Sequence, residues 1–261
     1  MTSAIPPRRR LADDLRAAID RGEIELRYQP QVRIADERIT GVEVLARWRH
    51  HRLGELGAAR LFAAARRAGL SEALSRHIQE QALAVVGAWG AALAPVSVAL
   101  NVTAADLGRS GFAAELLARA AAHGVAPERL TAEVTEHEPI ADLPAAAAVL
   151  AELRAAGVAV ALDDFGSGHS SVAWLRALPL DYLKLGGDLS RDLLRSAREQ
   201  VVTRHVIAMG RELGLGVIAE EVEDEAHCAA LAAAGATHYQ GYLCAGPLAA
   251  ADLVRMMEEG A

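Results

Sequence analysis

Two hydrophobic periods alternate along this chain. Short apolar runs rich in β-branched residues recur, among them Ile39-Thr40-Gly41-Val42-Glu43-Val44-Leu45, Val96-Ser97-Val98-Ala99-Leu100 and Val158-Ala159-Val160-Ala161-Leu162. Each is too short for a helix and reads as a buried strand. Between them lie longer, alanine-rich stretches with helical spacing, such as 143–156 and 226–234. The pattern predicts a helix over 11–21, a strand at 24–28 and a second at 39–48, paired as a hairpin through the turn at 35–38. Helices follow at 57–68 and 71–89, then strand 96–101, helix 112–123, strand 130–135, helix 142–156 and strand 158–163. Helix 171–177, strand 181–185, helix 189–213, strand 216–219, helix 223–234, strand 237–240 and helix 248–258 complete the series. Alternating β and α units imply an α/β protein with a mostly parallel sheet, its first strand antiparallel.

Most of these strands carry one polar residue at or near the carboxyl end: Glu43, Asn101, Glu133, Asp163, Lys184, Glu220 and Gln240. The 158–163 run ends in two adjacent acids, Asp163-Asp164, ahead of Phe165-Gly166. Half-burying carboxylates costs several kcal/mol unless something cationic neutralises them, and a divalent metal does so well. Taken singly, each residue could be a helix cap or a structural ion-pair partner. Seven at seven strand positions instead fit a TIM-like (β/α)8 barrel, in which the ends of different strands converge on one catalytic rim.

Length and composition limit this picture without redirecting it. The chain has 261 residues, 52% of them hydrophobic, enough for one barrel-sized core, and no linker, low-complexity tract or repeat divides it. Residues 1–10, with Pro6-Pro7 and Arg8-Arg9-Arg10, are expected to form a flexible arm, and 11–261 the domain. A net charge of −7 argues against polymeric nucleic acid as partner, though not against a small nucleotide held through metals. The two cysteines, Cys228 and Cys244, show neither metal nor disulfide spacing, which points to a reducing cytoplasm. Charges through the first thirty residues exclude a signal-peptide core. The longest uncharged stretch, 81–105, is interrupted by Gly87, Gly90, Pro95, Ser97 and Asn101, so no membrane span is expected.

These residues together resemble the EAL domain family, the cyclic di-GMP phosphodiesterases, from about Leu11 to Met257. The name-giving motif stands as Glu43-Val44-Leu45, with valine for the usual alanine, inside Glu43-Val44-Leu45-Ala46-Arg47-Trp48. Tyr28-Gln29-Pro30, Asn101, Glu133-Val134-Thr135-Glu136, Asp163-Asp164-Phe165-Gly166, Lys184, Glu220-Glu221-Val222-Glu223 and Gln240-Gly241-Tyr242 follow in family order and spacing. The resemblance implies hydrolysis of cyclic di-GMP to linear pGpG with two divalent cations, Mg²⁺ or Mn²⁺. By the same token Glu43, Asn101, Glu133 and Asp163 would hold the first cation, and Asp163 and Asp164 the second. Glu220 would be the general base or a ligand of the second cation. Lys184 would orient the water or stabilise phosphoryl charge, and Gln240 would hydrogen-bond around the metal and water. Arg47, four residues after Glu43 and so on the same strand face, can reach a substrate phosphate. Gln29 would contact guanine or ribose, and Glu223 would stand on the substrate side in the outer shell. Glu136 would anchor the loop of Gly166, Gly168, His169 and Ser170, which in the family links the metal site to a homodimer interface. The chain would be either a stand-alone enzyme or one whose regulatory input arrives through a partner protein or a domain outside this segment.

Several positions depart from the family pattern. Gly186 stands for an aspartate shortly after the lysine, Glu221 for a glycine, His169 for an aromatic residue, and Arg66 for an acid. Two other readings follow: a non-catalytic EAL domain that binds cyclic di-GMP or a protein, and a barrel enzyme acting on another phosphodiester.

Overall fold

A computed structural model describes residues 8–135, 138–166 and 171–259. Helix α1 (Arg8–Arg21) leads into β1 (Ile24–Arg33) and β2 (Arg38–His50), which pair antiparallel as the sequence predicts, Tyr28 facing Val44 and Gln29 facing Glu43. The arm expected over 1–10 lies outside the described residues up to 7, and α1 is already formed from Arg8. β3 (Gly54–Gly57) follows, then α2 (Ala58–Ala68), α3 (Ser71–Gly87), β4 (Ser97–Asn101), α4 (Ala104–Leu107), α5 (Phe112–Ala122) and β5 (Leu130–Thr135). After α6 (Leu143–Ala155) come β6 (Ala159–Phe165), α7 (Ser171–Ala177), β7 (Tyr182–Leu185), α8 (Gly187–Asp192) and α9 (Ala197–Glu212). The series closes with β8 (Gly216–Ala219), α10 (Glu225–Ala234), β9 (His238–Gln240) and α11 (Ala250–Glu259).

β2, β4, β5, β6, β7, β8 and β9 run parallel in that order, and β1 closes the ring, antiparallel to both β2 and β9. β3 pairs with β2 outside the ring. The result is the expected eight-stranded barrel with its one antiparallel strand.

β1 runs five residues past the predicted strand and carries Pro30. Proline has no N–H to give, yet the pairing with β2 runs through it, Pro30 facing Val42, and the register shifts only between Gln31 and Val32. Tyr28 directs its N–H away from β2 to Leu248 O (2.8 Å), and Pro30, two residues on, points its bare nitrogen to the same side. The helix predicted over 189–213 is two helices. Ser196 caps α9, its Oγ accepting from Glu199 N at 3.4 Å while Glu199 Oε2 accepts from Ser196 N at 2.8 Å, and this local pairing breaks the run at Leu193–Arg195. Short elements that periodicity does not resolve, β3, α4 and 3-10 turns at Ala91–Leu93 and Pro127–Arg129, were not predicted. Trp48, Tyr28 and Phe112 are the largest side chains that the core encloses fully, each at most 1% exposed. Among the described residues no helix is long and apolar enough to cross a membrane.

Candidate active site

Parallel strands in register bring their carboxyl ends to one level. Asn101 pairs with Glu133 across β4 and β5, and Thr135 with Asp163 across β5 and β6. Gln29 faces Glu43, and Gln31 faces Gln240 across the closing seam. A cavity of about 650 Å³ opens there, lined by Gln29, Glu43, Arg47, Asn101, Asp163, Asp164, Glu220, Glu223 and Gln240 among others. All the described residues that the sequence assigned to metal or substrate therefore converge, except that Glu133 and Lys184 lie beneath the cavity floor, at 1% and 0% exposure. Arg47 shares the cavity with Glu43 and the intervening Leu45, as the two-residue period requires.

Asp163 and Asp164 pose a geometric problem, because successive strand residues point to opposite faces. The strand solves it with an irregularity. The β6–β7 register shifts between Leu162 and Phe165, and Asp164 takes a left-handed φ of 57°, which re-aims its side chain so that both acids line the cavity. Glu221, directly after Glu220, has φ 54° and ion-pairs with Arg191. Non-glycine residues in this conformation carry a cost of roughly 1–2 kcal/mol, a pattern common where side chains are held for function.

The centre of the arrangement is an ammonium group. Lys184 Nζ lies 3.2 Å from Glu43 Oε2, 3.1 Å from Glu133 Oε2, 2.7 Å from Asp163 Oδ1 and 3.0 Å from Glu220 Oε1. Four carboxylates thus share one cation. Burial opposes a charged Lys184, but the surrounding carboxylates outweigh it and hold the ammonium's pKa well above its ordinary value. Burial pushes Glu133 well above the usual carboxylate range, with Lys184 opposing and Glu43 and Asp163 adding to the rise. Glu220 is raised to about 8, first by burial, against the pull of Lys184. The cluster is short of positive charge.

A cation fits it. One oxygen each from Glu43, Glu133 and Asp163 lie within 4.8 Å of one another. Asp163 Oδ1 is buried and shares with the three other carboxylates the single ammonium of Lys184, 2.7 Å away. Hard oxygen donors of this kind suit Mg²⁺ or Mn²⁺.

An amide chain organises the other side. Gln240 Nε2 donates to Glu43 Oε2 (2.6 Å) and Gln29 Oε1 (3.2 Å), while Gln31 Nε2 donates to Gln240 Oε1 (3.0 Å) and Glu133 Oε1 (3.4 Å). Gln31 was not singled out in the sequence, although its place two residues after Gln29 on the same strand face was a usable signal. Glu138, whose carboxylate receives Arg66 Nη1 at 3.1 Å and Ala104 N at 3.0 Å on the cavity wall, was also missed. Gly166 sits at φ 96°, where a Cβ would meet Leu189 Cδ2 at 2.9 Å, so glycine is required at the start of its loop. Glu136, Gly168, His169 and Ser170 lie outside the described residues.

Comparison with known proteins gives a consistent result. A family model described as the EAL domain matches residues 12–247. A cyclic di-GMP phosphodiesterase of Pseudomonas aeruginosa is 37% identical over 221 residues, covering 85% of this chain and 38% of the relative. The bifunctional diguanylate cyclase/cyclic di-GMP phosphodiesterase MucR of the same species is 31% identical over 245 residues, 94% of this chain and 36% of that protein. This chain thus spans well under half the length of either. Among solved structures, the PaMucR phosphodiesterase in complex with c-di-GMP superposes with a TM-score of 0.85 at 31% identity, covering 94% of this chain and 99% of that one.

Proposed function

This chain belongs to the EAL domain family, and from that premise we propose that it hydrolyses cyclic di-GMP to linear pGpG with the aid of two divalent cations, Mg²⁺ or Mn²⁺. The observation that carries the reading is the lone ammonium among four carboxylates just beneath the cavity floor. A relative sharing 37% identity is named for this activity, and a cavity of about 650 Å³ is in the range for a ligand of this size.

Glu43, Asn101, Glu133 and Asp163 would hold one cation, and Asp163 with Asp164 the other. Bound there, the cations would activate a water, neutralise phosphoryl oxygens and stabilise the departing ribose oxygen. The protein's own groups do the rest. Glu220, with its raised affinity for a proton, takes the proton from the attacking water. Lys184 Nζ, buried beneath the floor and held rigidly by its four partners, offsets the negative charge of the carboxylates that face the phosphoryl group. Gln240 fixes the Glu43 carboxylate through its 2.6 Å hydrogen bond. Arg47 reaches a phosphate oxygen from the β2 wall, and Gln29 and Glu223 bind nucleoside atoms nearer the mouth. Exposed Val172, Leu194, Val201 and Val202, from α7, the α8–α9 turn and α9, support a homodimer formed through that side of the barrel. The domain would cover 11–261 and act in the cytoplasm.

The test is to incubate the protein with cyclic di-GMP and Mg²⁺ or Mn²⁺, with EDTA as control, and to separate the products. Metal-dependent pGpG is the expected outcome. Tight binding without product would reassign the chain as a receptor, and neither binding nor product would remove cyclic di-GMP altogether.

A further inference from the structure

Helix α2 has two working faces. Leu61, Ala64 and Ala65 are buried against the barrel, whereas Ala59, Phe62, Ala63 and Arg66 line the cavity with the three-and-four spacing of one helix stripe. The alanines leave room above the backbone. Half-buried Phe62 offers a ring to that space, and Arg66, its side chain 54% exposed, stands one turn further along. Arg66 is fixed from one side. Its Nη1 donates to Glu138 Oε1 at 3.1 Å, and Glu138 is itself anchored by Ala104 N at 3.0 Å. Among the described residues the guanidinium has no other partner, so most of its fork of donors faces outward for a ligand. Apart from Arg47 on the β2 wall, the other charged residues lining the cavity are acids. An anionic ligand reaching α2 therefore meets a single cation there.

Resting on the cyclic di-GMP reading above, we propose that this stripe of α2 is a guanine-recognition subsite. The base lies against Phe62, and Arg66 donates bidentately to guanine O6 and N7. Arginine's planar fork matches that pair of acceptors, whereas adenine presents an amino donor where guanine has O6, so donor would face donor. Lysine keeps the charge but not the fork.

The test is calorimetric titration of the full chain with Mg²⁺, in a Glu220→Gln background that blocks turnover, using cyclic di-GMP and cyclic di-AMP as probes. Arg66→Ala should weaken cyclic di-GMP binding about ten- to a hundredfold and leave cyclic di-AMP within about twofold. Arg66→Lys should behave like Arg66→Ala, and Phe62→Ala should weaken both ligands, because stacking does not distinguish purines. Equal losses for both ligands in Arg66→Ala, restored by lysine, would overturn the proposal in favour of a phosphate contact. Unchanged cyclic di-GMP affinity in a variant whose melting temperature is intact would overturn it as well. If cyclic di-GMP fails to bind even with Arg66 present, the subsite and the phosphodiesterase reading fall together; if it binds and only the Arg66 variants are silent, the subsite alone falls.

Discussion

Lys184 is the residue on which the others depend. A buried ion cluster is strongly destabilised when one partner is removed, by about 3–5 kcal/mol. Lys184→Met should therefore lower the melting temperature of the metal-free protein sharply, with saturating Mg²⁺ recovering more of it than in the wild type; a variant as stable as the wild type in EDTA would contradict the surrounded-ammonium picture. Glu220→Gln should abolish turnover with little effect on chemical denaturation, and residual activity near normal would remove Glu220 from the proton-transfer role. Asp163→Asn, at the proposed bridging position, should raise the Mg²⁺ concentration needed for half-maximal activity at least tenfold, read from a metal titration. Protonation supplies a further check. Because Glu220 in the folded, metal-free protein is raised from 4.5 to about 8, its contribution to stability is fully present below about 4.5 and lost as pH rises towards 8. A cation needs these carboxylates ionised, so its binding expels protons and tightens across the same window. Mn²⁺ should raise the melting temperature more at pH 8 than at pH 6, and equal shifts would refute the coupling.

At the scale of elements, what could be read from the sequence was whatever repeats. The strands reveal themselves as apolar runs broken by one polar residue, and Glu43, Asn101, Glu133, Asp163, Lys184 and Glu220 were legible because each interrupts or ends such a run. Gln31 was not, although it shares a strand face with Gln29, because its partners Gln240 and Glu133 become visible only once the barrel closes. Nor was the break between α8 and α9, where a local capping box overrides a continuous helical period. Backbone departures were equally silent. Nothing in Asp163-Asp164 announces that a register shift and a left-handed residue turn both acids inward. Glu221 offers a test of such conformations. Glu221→Gly relieves a left-handed strain of roughly 1 kcal/mol and removes a partly exposed pair with Arg191 worth less than about 1 kcal/mol. Urea unfolding should find it no less stable than the parent, and a loss beyond about 2 kcal/mol would mean that the Arg191 pair dominates.

For the molecule as a whole, the alternation of strands and helices implied a mostly parallel α/β protein, and the polar residues recurring at its strand ends pointed to a barrel rather than an open sheet. Assembly beyond one chain leaves a fainter trace. The valines on α7 and α9 look like ordinary helix positions until the fold leaves Val172, Val201 and Val202 exposed on the outside. If the proposed dimer supports catalysis, specific activity should fall on dilution in step with a monomer fraction measured by sedimentation, and a concentration-independent rate would separate the two. The closing seam has its own consequence for how the protein is made. Gln31 and Gln240 are 209 positions apart, yet they join the first strand of the ring to the last. During synthesis β1 must wait for β9 with one row of backbone groups unpaired, and β9's arrival is slow to reward because so long a loop has to close. Until then the nascent barrel carries two open edges, either of which can recruit a neighbouring chain. A chain interrupted before β9 would on this account be lost to aggregation rather than merely lack activity.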